Sequence, residues 1–210
     1  MAGSPILLAM TGDGRARAEG GVSLLLREFP VSFLVGAGAA GALVPALRAG
    51  DIVVAKRLVD EEGDVPAPAA DLLSHAVNGG AKPGTIVTLS KLMCSSKEKG
   101  AVAARFGLAD PTPAVVDTES AAWARAAASR GVPCLIVRAV SDTFEEDLPD
   151  FLSSCLSPEG SVDRAAVARR LLFHPGSLRV LLRARERVRE GAAKVGLFLE
   201  TLLSEKISAW

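Results

Sequence analysis

Short apolar runs recur along the first two thirds of the chain. Most of them are rich in Val, Ile and Leu and do not alternate with polar residues, which is typical of strands that are buried on both faces. The predicted strands are residues 5–10, 31–35, 51–56, 85–89, 114–116 and 133–140.

Segments with a helical spacing of apolar residues separate these runs. The predicted helices span residues 15–28, 96–106 and 119–130, and a short helix around 71–76 interrupts a Pro- and Gly-rich segment over 60–83. This alternation predicts an α/β fold with a largely parallel or mixed sheet and helices on both sides. With 210 residues and no recognisable linker, the sequence predicts a single domain over residues 1–210.

The C-terminal part has a different pattern. Asp163 precedes one predicted helix, and the turn His174-Pro175-Gly176 separates that helix from a long final one. The final helix carries an apolar stripe among many arginines, which predicts packing on the sheet with a basic face in solvent. Contact of this helix with a membrane surface or with another subunit is the alternative.

Charge and cysteine content narrow the class of protein. Lys plus Arg and Asp plus Glu both number 24, so bulk electrostatics do not favour a nucleic acid partner. Arg164, Arg169 and Arg170 leave only a local basic patch open. The apolar run at 5–10 is too short for a signal peptide, and the uncharged segment 30–47 is too rich in Gly for a membrane span. We interpret the three cysteines as reduced thiols of a cytoplasmic protein: Cys94, Cys134 and Cys155.

A glycine-rich segment, residues 36–41 (GAGAAG), fits the G-x-G-x-x-G pattern of dinucleotide-binding turns. Pro45 and the strand predicted to begin at Asp51 leave no room for the crossover helix that such a site requires. We therefore expect no dinucleotide or other cofactor. We interpret the segment as a turn where the backbone approaches a ligand or another strand closely.

Three motifs in consistent order resemble the purine nucleoside phosphorylase and nucleosidase superfamily. They are residues 38–43 (GAAGAL) with 47–54 (LRAGDIVV), residues 116–122 (VDTESAA) and residues 137–142 (VRAVSD). The resemblance implies a three-layer phosphorylase-like fold with a central mixed sheet flanked by helices. It also implies cleavage of the N-glycosidic bond of a purine nucleoside.

A nucleoside-cleaving site needs an acid for the base and a carboxylate for the sugar. The purine leaves well once its N7 is protonated, and Asp142 lies just past an apolar strand, where a carboxyl group is partly desolvated. Glu119 follows another strand and opens a helix, so its carboxylate is placed to bind the ribose hydroxyls. The alternatives for these two residues are an N-cap aspartate and a first-turn glutamate that favours the helix dipole.

The resemblance assigns further residues to the same site. Arg138, four residues before Asp142 and on the same face of a strand, joins it as a catalytic residue on the nucleophile side. Thr118 stands beside Glu119 in the ribose site, where the family commonly has Met. The remaining assignments are Ser141, Leu92 and Met93 for the base and Gly38 and Ala39 for the nucleophile or phosphate loop.

The nucleophile side departs from the family pattern. The family's first strand and its loop have no counterpart in the sequence, Gly36 stands where phosphorylases often have Arg, and Ala39 where many members have Ser or Thr. Three accounts stay open: an incomplete chain, a replacement carboxylate such as Asp13 or Glu19, or a non-catalytic descendant that binds nucleosides. Water and phosphate both remain open as the nucleophile.

Motifs in the C-terminal part of the chain indicate one branch of this superfamily. Residues 148–149 (LP), 157–163 (SPEGSVD) and 171–175 (LLFHP) resemble the hopanoid-associated phosphorylase branch, which is linked to removal of adenine from adenosylhopane. The resemblance therefore implies a 5′-substituted adenine nucleoside as substrate, with phosphate as an open co-substrate. It also implies a homodimer or higher homo-oligomer, and membrane contact only through a lipid-like substrate.

Overall fold

The computed structural model describes residues 6–66, 69–155 and 163–207, with the side chains of 205–207 left aside. Six strands are β1 (Leu34–Ala42), β2 (Ile52–Asp60), β3 (Gly63–Asp64), β4 (Lys82–Thr88), β5 (Ala114–Asp117) and β6 (Cys134–Asp142). Six α-helices are α1 (Arg15–Glu28), α2 (Ala70–Asn78), α3 (Ser96–Arg105), α4 (Ser120–Ala128), α5 (Arg164–Phe173) and α6 (Ser177–Ile207). A 3₁₀ helix spans Asp150–Cys155.

The strands form one mixed sheet in the order β3-β2-β4-β5-β1-β6, and β6 also pairs with β2. The last pairing closes β2, β4, β5, β1 and β6 into a ring. The β1–β6, β2–β4 and β4–β5 pairs are parallel, whereas β1–β5 and β2–β6 are antiparallel. The predicted α/β fold with a mixed central sheet is therefore confirmed.

Helices cover the ring on two sides. On one side, Ala18, Val22 and Leu26 of α1 and the alanine-rich face of α4 join the main apolar core. On the other, Leu72 of α2 and Phe198 of α6 pack with side chains of β2 and β6 in a second cluster. This burial on both faces explains why the strands lack alternating polar residues.

The predicted helices agree closely with the structure. The helix predicted at 15–28 has those bounds, and the others differ at their ends by one or two residues. Asp163 caps α5, because its side chain accepts hydrogen bonds from the backbone N–H groups of Ala165 and Ala166. The final helix packs on the sheet through Val195, Phe198 and Leu202, whereas its first half is mostly exposed.

The strand predicted at residues 5–10 is wrong for its described part. Residues 6–10 have no regular structure, and the side chains of Leu8 and Met10 are 90% and 97% exposed. An apolar run becomes a strand only where a sheet edge offers it hydrogen-bond partners. Each strand of the ring already has two neighbours within the described part of the chain, so the run finds no edge there.

The turn predicted at residues 36–41 is also wrong, because this segment lies inside strand β1. Its glycines make room for side chains rather than for a turn. A Cβ atom at Gly36 would lie 2.5 Å from the ring of Trp123, and one at Gly38 would lie 1.9 Å from Nη1 of Arg138. The close approach that the pattern predicted is therefore real, but it is made by packed side chains.

Candidate active site

A cavity of about 180 Å³ opens where β1, β5 and β6 end. It brings together seven of the predicted site residues. They are Ala39, Leu92, Met93, Thr118, Glu119, Ser141 and Asp142. Gly38 and Arg138 do not line it.

A larger cavity of about 310 Å³ lies elsewhere and lacks comparable chemistry. Cys134 is the one ionisable residue among its lining side chains. Burial raises the pKa of that thiol to about 12, so it stays protonated near neutral pH. The smaller cavity is therefore the candidate active site.

Asp142 has a partner for each of its carboxylate oxygens. The hydroxyl of Ser141 donates to Oδ1 over 2.7 Å, and Nζ of Lys99 lies 2.6 Å from Oδ2. The residue is 8% exposed, so the ion pair is shielded from bulk water. Both contacts hold the carboxyl group of Asp142 in one orientation at the wall of the cavity.

Lys99 comes from helix α3 and is fully buried. Its ammonium also donates to the backbone carbonyl groups of Thr143 and Glu146, over 2.6 and 3.0 Å. A buried ammonium needs this complete set of acceptors. Lys99 thereby fixes both Asp142 and the loop that leaves β6.

The same loop is tied to the final helix by Glu146. Its carboxylate accepts a hydrogen bond from the backbone N–H of Thr143 and pairs with Arg187 of α6. The hydrogen bond from Arg187 holds the pKa of Glu146 below its ordinary value of 4.5, so the pair is intact near neutral pH.

Glu119 is the residue that precedes helix α4, and its Oε1 is already occupied. The backbone N–H of Gly14 donates to this oxygen over 3.0 Å, and the hydroxyl of Thr118 donates to it as well. Among the described residues, Arg138 alone lies near Oε2, with its Nη2 atom at 3.8 Å. One carboxylate oxygen therefore remains available to a ligand in the cavity.

Arg138 lies behind Glu119 and is 1% exposed. Its Nε atom is 2.6 Å from the carboxylate of Asp117 and 3.0 Å from the hydroxyl of Ser120. The guanidinium also stacks over the ring of Trp123 at 4.5 Å from the centroid. Nη2 has no hydrogen-bond partner among the described residues. Arg138 therefore does not line the cavity itself, but it lies next to Glu119, which does.

Neither proposed replacement carboxylate lines the cavity. Asp13 and Glu19 are both exposed, although the loop that contains Asp13 reaches the site through the N–H of Gly14. Among the described residues, the acidic side chains in the cavity wall are Asp117, Glu119 and Asp142.

Sequence reasoning missed several residues of the site: Lys99, Asp117, Lys91 and Leu148. Asp117 belongs to the motif at residues 116–122, but the motif alone does not predict a role for it. Lys99 belongs to no motif, but one signal was present. It lies four residues before Ala103, on the buried face of its helix, where an unpaired lysine would be costly.

Residues 1–172 match the Phosphorylase superfamily, and the chain belongs to that family. Among its relatives is the 5′-methylthioadenosine/S-adenosylhomocysteine nucleosidase of Geobacillus kaustophilus. The two are 30% identical over 69% of this chain and 70% of the relative.

Two solved structures from Helicobacter pylori share the fold. One is its 5′-methylthioadenosine/S-adenosylhomocysteine nucleosidase with 5′-methylthioadenosine in the active site, at a TM-score of 0.69 and 19% identity, covering 94% of this chain and 79% of the other. The other is its futalosine hydrolase, at a TM-score of 0.69 and 18% identity, covering 93% and 77%. At these identities the two structures establish the fold.

Proposed function

We propose that this chain cleaves the N-glycosidic bond of a 5′-substituted adenine nucleoside and releases adenine. The observation that carries the proposal is the placement of Asp142 and Glu119 in the wall of one cavity, beside the apolar side chains of Leu92 and Met93. A purine between those apolar groups would place its polar edge toward the acid and its sugar toward the glutamate. The nucleosidase relatives of the chain support the same reaction class.

The reaction passes through a sugar with oxocarbenium character. In the proposed mechanism Asp142, oriented by Ser141 and Lys99, takes up a proton from solvent as the nucleoside binds and gives it to N7 of adenine as the glycosidic bond breaks. Water then adds to the anomeric carbon of the sugar and releases a proton to solvent. Oε2 of Glu119 accepts hydrogen bonds from the ribose hydroxyls, which also favours the positive charge that develops on the sugar. Arg138 acts as a positioning residue, because it touches Glu119 and Asp117 rather than the cavity.

We assign water as the nucleophile. Phosphate is a dianion near neutral pH and needs several charge-assisted donors. Lys91 is the one cationic side chain among the lining residues, and it already pairs with Glu98 at 2.9 Å. Gly36 and Ala39 offer neither a guanidinium nor a hydroxyl group.

The proposal extends to the 5′ substituent, which we place in the hopanoid class, with adenosylhopane as the substrate in hopanoid biosynthesis. Support comes from the tail motifs at 148–149 and 171–175, whereas most of the motif at 157–163 lies outside the described residues. Leu148 of the first motif lines the cavity, and His174 of the second stacks on Phe151. We further propose a cytoplasmic homodimer or larger homo-oligomer.

A second candidate is a nucleoside-binding homologue with little or no turnover. This candidate is favoured by the part of the site where the nucleophile would bind, since neither Asp13 nor Glu19 reaches the cavity to activate water. The two candidates share the base and ribose contacts and differ only in whether the bond is broken.

Adenine release from 5′-substituted adenosines tests the proposal. Asp142→Asn keeps the shape of the acid and removes its proton, so we expect a rate loss on the order of 10²–10⁴-fold with nucleoside binding largely retained. Asp13→Asn is the matched control and should leave the rate near that of the unchanged chain, because Asp13 is exposed and outside the cavity wall. Near-normal turnover by Asp142→Asn would remove Asp142 from its role. Nucleoside binding without adenine release by the unchanged chain would establish the second candidate.

A further inference from the structure

Helix α5, the turn after it and the first half of α6 form a surface that little of the rest of the described chain covers. No residue of α5 is buried, and most residues of 177–190 are exposed. We call this the arginine–apolar surface. It comprises the exposed arginines Arg164, Arg169, Arg170, Arg179, Arg183, Arg185 and Arg189 and the exposed apolar residues Leu172, Phe173, Leu178, Val180, Leu182 and Val188.

The surface is strongly positive although the whole chain is neutral. Residues 164–189 contain eight arginines and one acidic residue, Glu186. Arg187 pairs with Glu146 and Arg189 with Glu186, which leaves most of the guanidinium groups facing solvent without a described carboxylate partner. Such a local excess of positive charge fits an anionic partner.

Large apolar side chains share this surface with the arginines. Leu172 and Phe173 at the end of α5 are 80% and 76% exposed. On α6, Leu178, Leu182, Arg185 and Arg189 follow one another at helical spacing on one exposed face. Exposed apolar groups of this size, mixed with cations, are a feature of interaction surfaces.

The mixture of arginines and apolar side chains distinguishes between the partners that this surface could bind. Nucleic acid phosphates would bind the arginines alone and would leave the leucines and the phenylalanine exposed to water. A second copy of the surface would bring two sets of arginines together, which costs energy. An anionic bilayer would bind both kinds of side chain. Its headgroups bind the guanidinium groups, and the boundary between headgroups and acyl chains accepts the apolar side chains.

We propose that the arginine–apolar surface docks the protein on the surface of bilayers that contain anionic phospholipids. Leu172 and Phe173 enter the boundary between headgroups and acyl chains, and the arginines bind the phosphate groups. No helix in the described ranges is long and apolar enough to cross a membrane.

Docking on this surface would also bring the candidate active site to the membrane. Arg187 belongs to the same stretch of α6 and pairs with Glu146, whose carboxylate holds the N–H of Thr143 next to Asp142. The proposal rests on the surface alone, and it stands whether or not the chain cleaves nucleosides.

Co-sedimentation with lipid vesicles tests the proposal. One vesicle preparation is phosphatidylcholine alone, and the other is phosphatidylcholine with an equal amount of phosphatidylglycerol. We expect binding to the anionic vesicles that weakens as salt is added. Each arginine strengthens such binding roughly fivefold, so the triple variant Arg179→Gln, Arg183→Gln and Arg185→Gln should bind on the order of 100-fold more weakly.

A matched control carries the same loss of charge elsewhere. Arg17→Gln, Arg105→Gln and Arg130→Gln alter three exposed arginines outside the surface and should leave vesicle binding intact. The apolar variant Leu172→Ser with Phe173→Ser keeps every charge, and we expect it to bind at least about tenfold more weakly.

Several results would overturn the proposal. They are equal binding to neutral vesicles, equal losses in the control and the surface variant, or no vesicle binding at all. Binding of duplex DNA in place of vesicles, lost in the arginine variant, would assign the surface to nucleic acid instead. A change of oligomeric state in the apolar variant, without vesicle binding, would assign it to a protein contact. Adenine release is assayed separately, and its absence would leave these outcomes unaffected.

Discussion

Lys99 and Asp142 form a buried ion pair at the wall of the cavity, with Nζ of the lysine 2.6 Å from Oδ2 of the aspartate. The lysine comes from the first turn of α3 and the aspartate from the last position of β6, so the pair joins a helix to the edge of the site. The carbonyl groups of Thr143 and Glu146 complete the coordination of the ammonium. The acid proposed for catalysis and the loop beside it therefore depend on one buried side chain.

Lys99→Met should destabilise the protein strongly. The change leaves the Asp142 carboxylate and two carbonyl groups without their shared donor, and breaking a buried pair in this way costs about 3–5 kcal/mol. Urea unfolding measures the loss. Lys97→Met is the control on the same helix, and because Lys97 is exposed its effect should stay within about 0.5 kcal/mol.

A double-mutant cycle separates the pair from general damage to the helix. In the background of Asp142→Asn, the cost of Lys99→Met should fall, because the carboxylate is no longer left unpaired. Fully additive free energies of unfolding would show that the two side chains do not interact.

Glu119→Gln should weaken nucleoside binding and slow adenine release together. In the proposed mechanism the ribose hydroxyls interact with this carboxylate in both the bound state and the transition state, so KM and kcat should both change. Free adenine should bind about as before, since it makes no contact with the sugar site. A variant that loses affinity for adenine yet still discriminates ribose from deoxyribose nucleosides would contradict the assignment.

The sequence predicts most of this fold because local patterns agree with the tertiary structure. The apolar runs that became β2, β4, β5 and β6 lie in the ring, and α1 begins and ends where its spacing predicts. Residues 6–10 show where local reasoning fails. Their strand propensity is genuine, but whether a run pairs depends on a free sheet edge, and that is a property of the whole fold.

The residues of the candidate site likewise fall into those that the sequence predicts and those that it does not. Asp142, Glu119 and Ser141 could be predicted because contiguous motifs at strand ends carry them, and the structure brings them to one cavity. For Lys99 the spacing to Ala103 indicates at most a buried position, and its role could not be predicted because its partners stand more than forty residues later in the chain. The contact of Gly14 with Glu119 spans 105 positions and is equally invisible to local pattern.

Gly38→Ala should destabilise the protein and lower its activity. A Cβ atom at Gly38 would lie 1.9 Å from Nη1 of Arg138, so the guanidinium must leave its place beside Asp117 and Glu119. Overpacking of a core typically costs about 1–3 kcal/mol, and we expect the upper end because an ion pair is disturbed as well. Thermal unfolding measures the change.

Gly196→Ala is the matched control for that substitution. Gly196 lies inside α6 with nothing within 4 Å of an added Cβ, so alanine should stabilise the helix by about 0.5–1 kcal/mol. Equal stability of Gly38→Ala and the unchanged protein would mean that Arg138 does not lie against β1.

Adenine release by this chain should be slow and should not depend on phosphate. Arg138 pairs with Asp117 and Glu119, and Lys91 pairs with Glu98, so the described residues leave few cationic donors to hold a dianion in the cavity. The rate should be modest as well, because positioning of a nucleophile is worth effective molarities on the order of 10⁵–10⁸ M, and no described carboxylate from the loop at 11–14 reaches the cavity to hold water.

The measurement is the initial rate of adenine release with phosphate and with sulfate at equal ionic strength, together with identification of the sugar product. We expect the free sugar and equal rates in the two buffers. A saturable rate increase with phosphate and a sugar 1-phosphate as product would show that phosphate binds at the end of β1 after all, through backbone groups near Gly38 and Ala39.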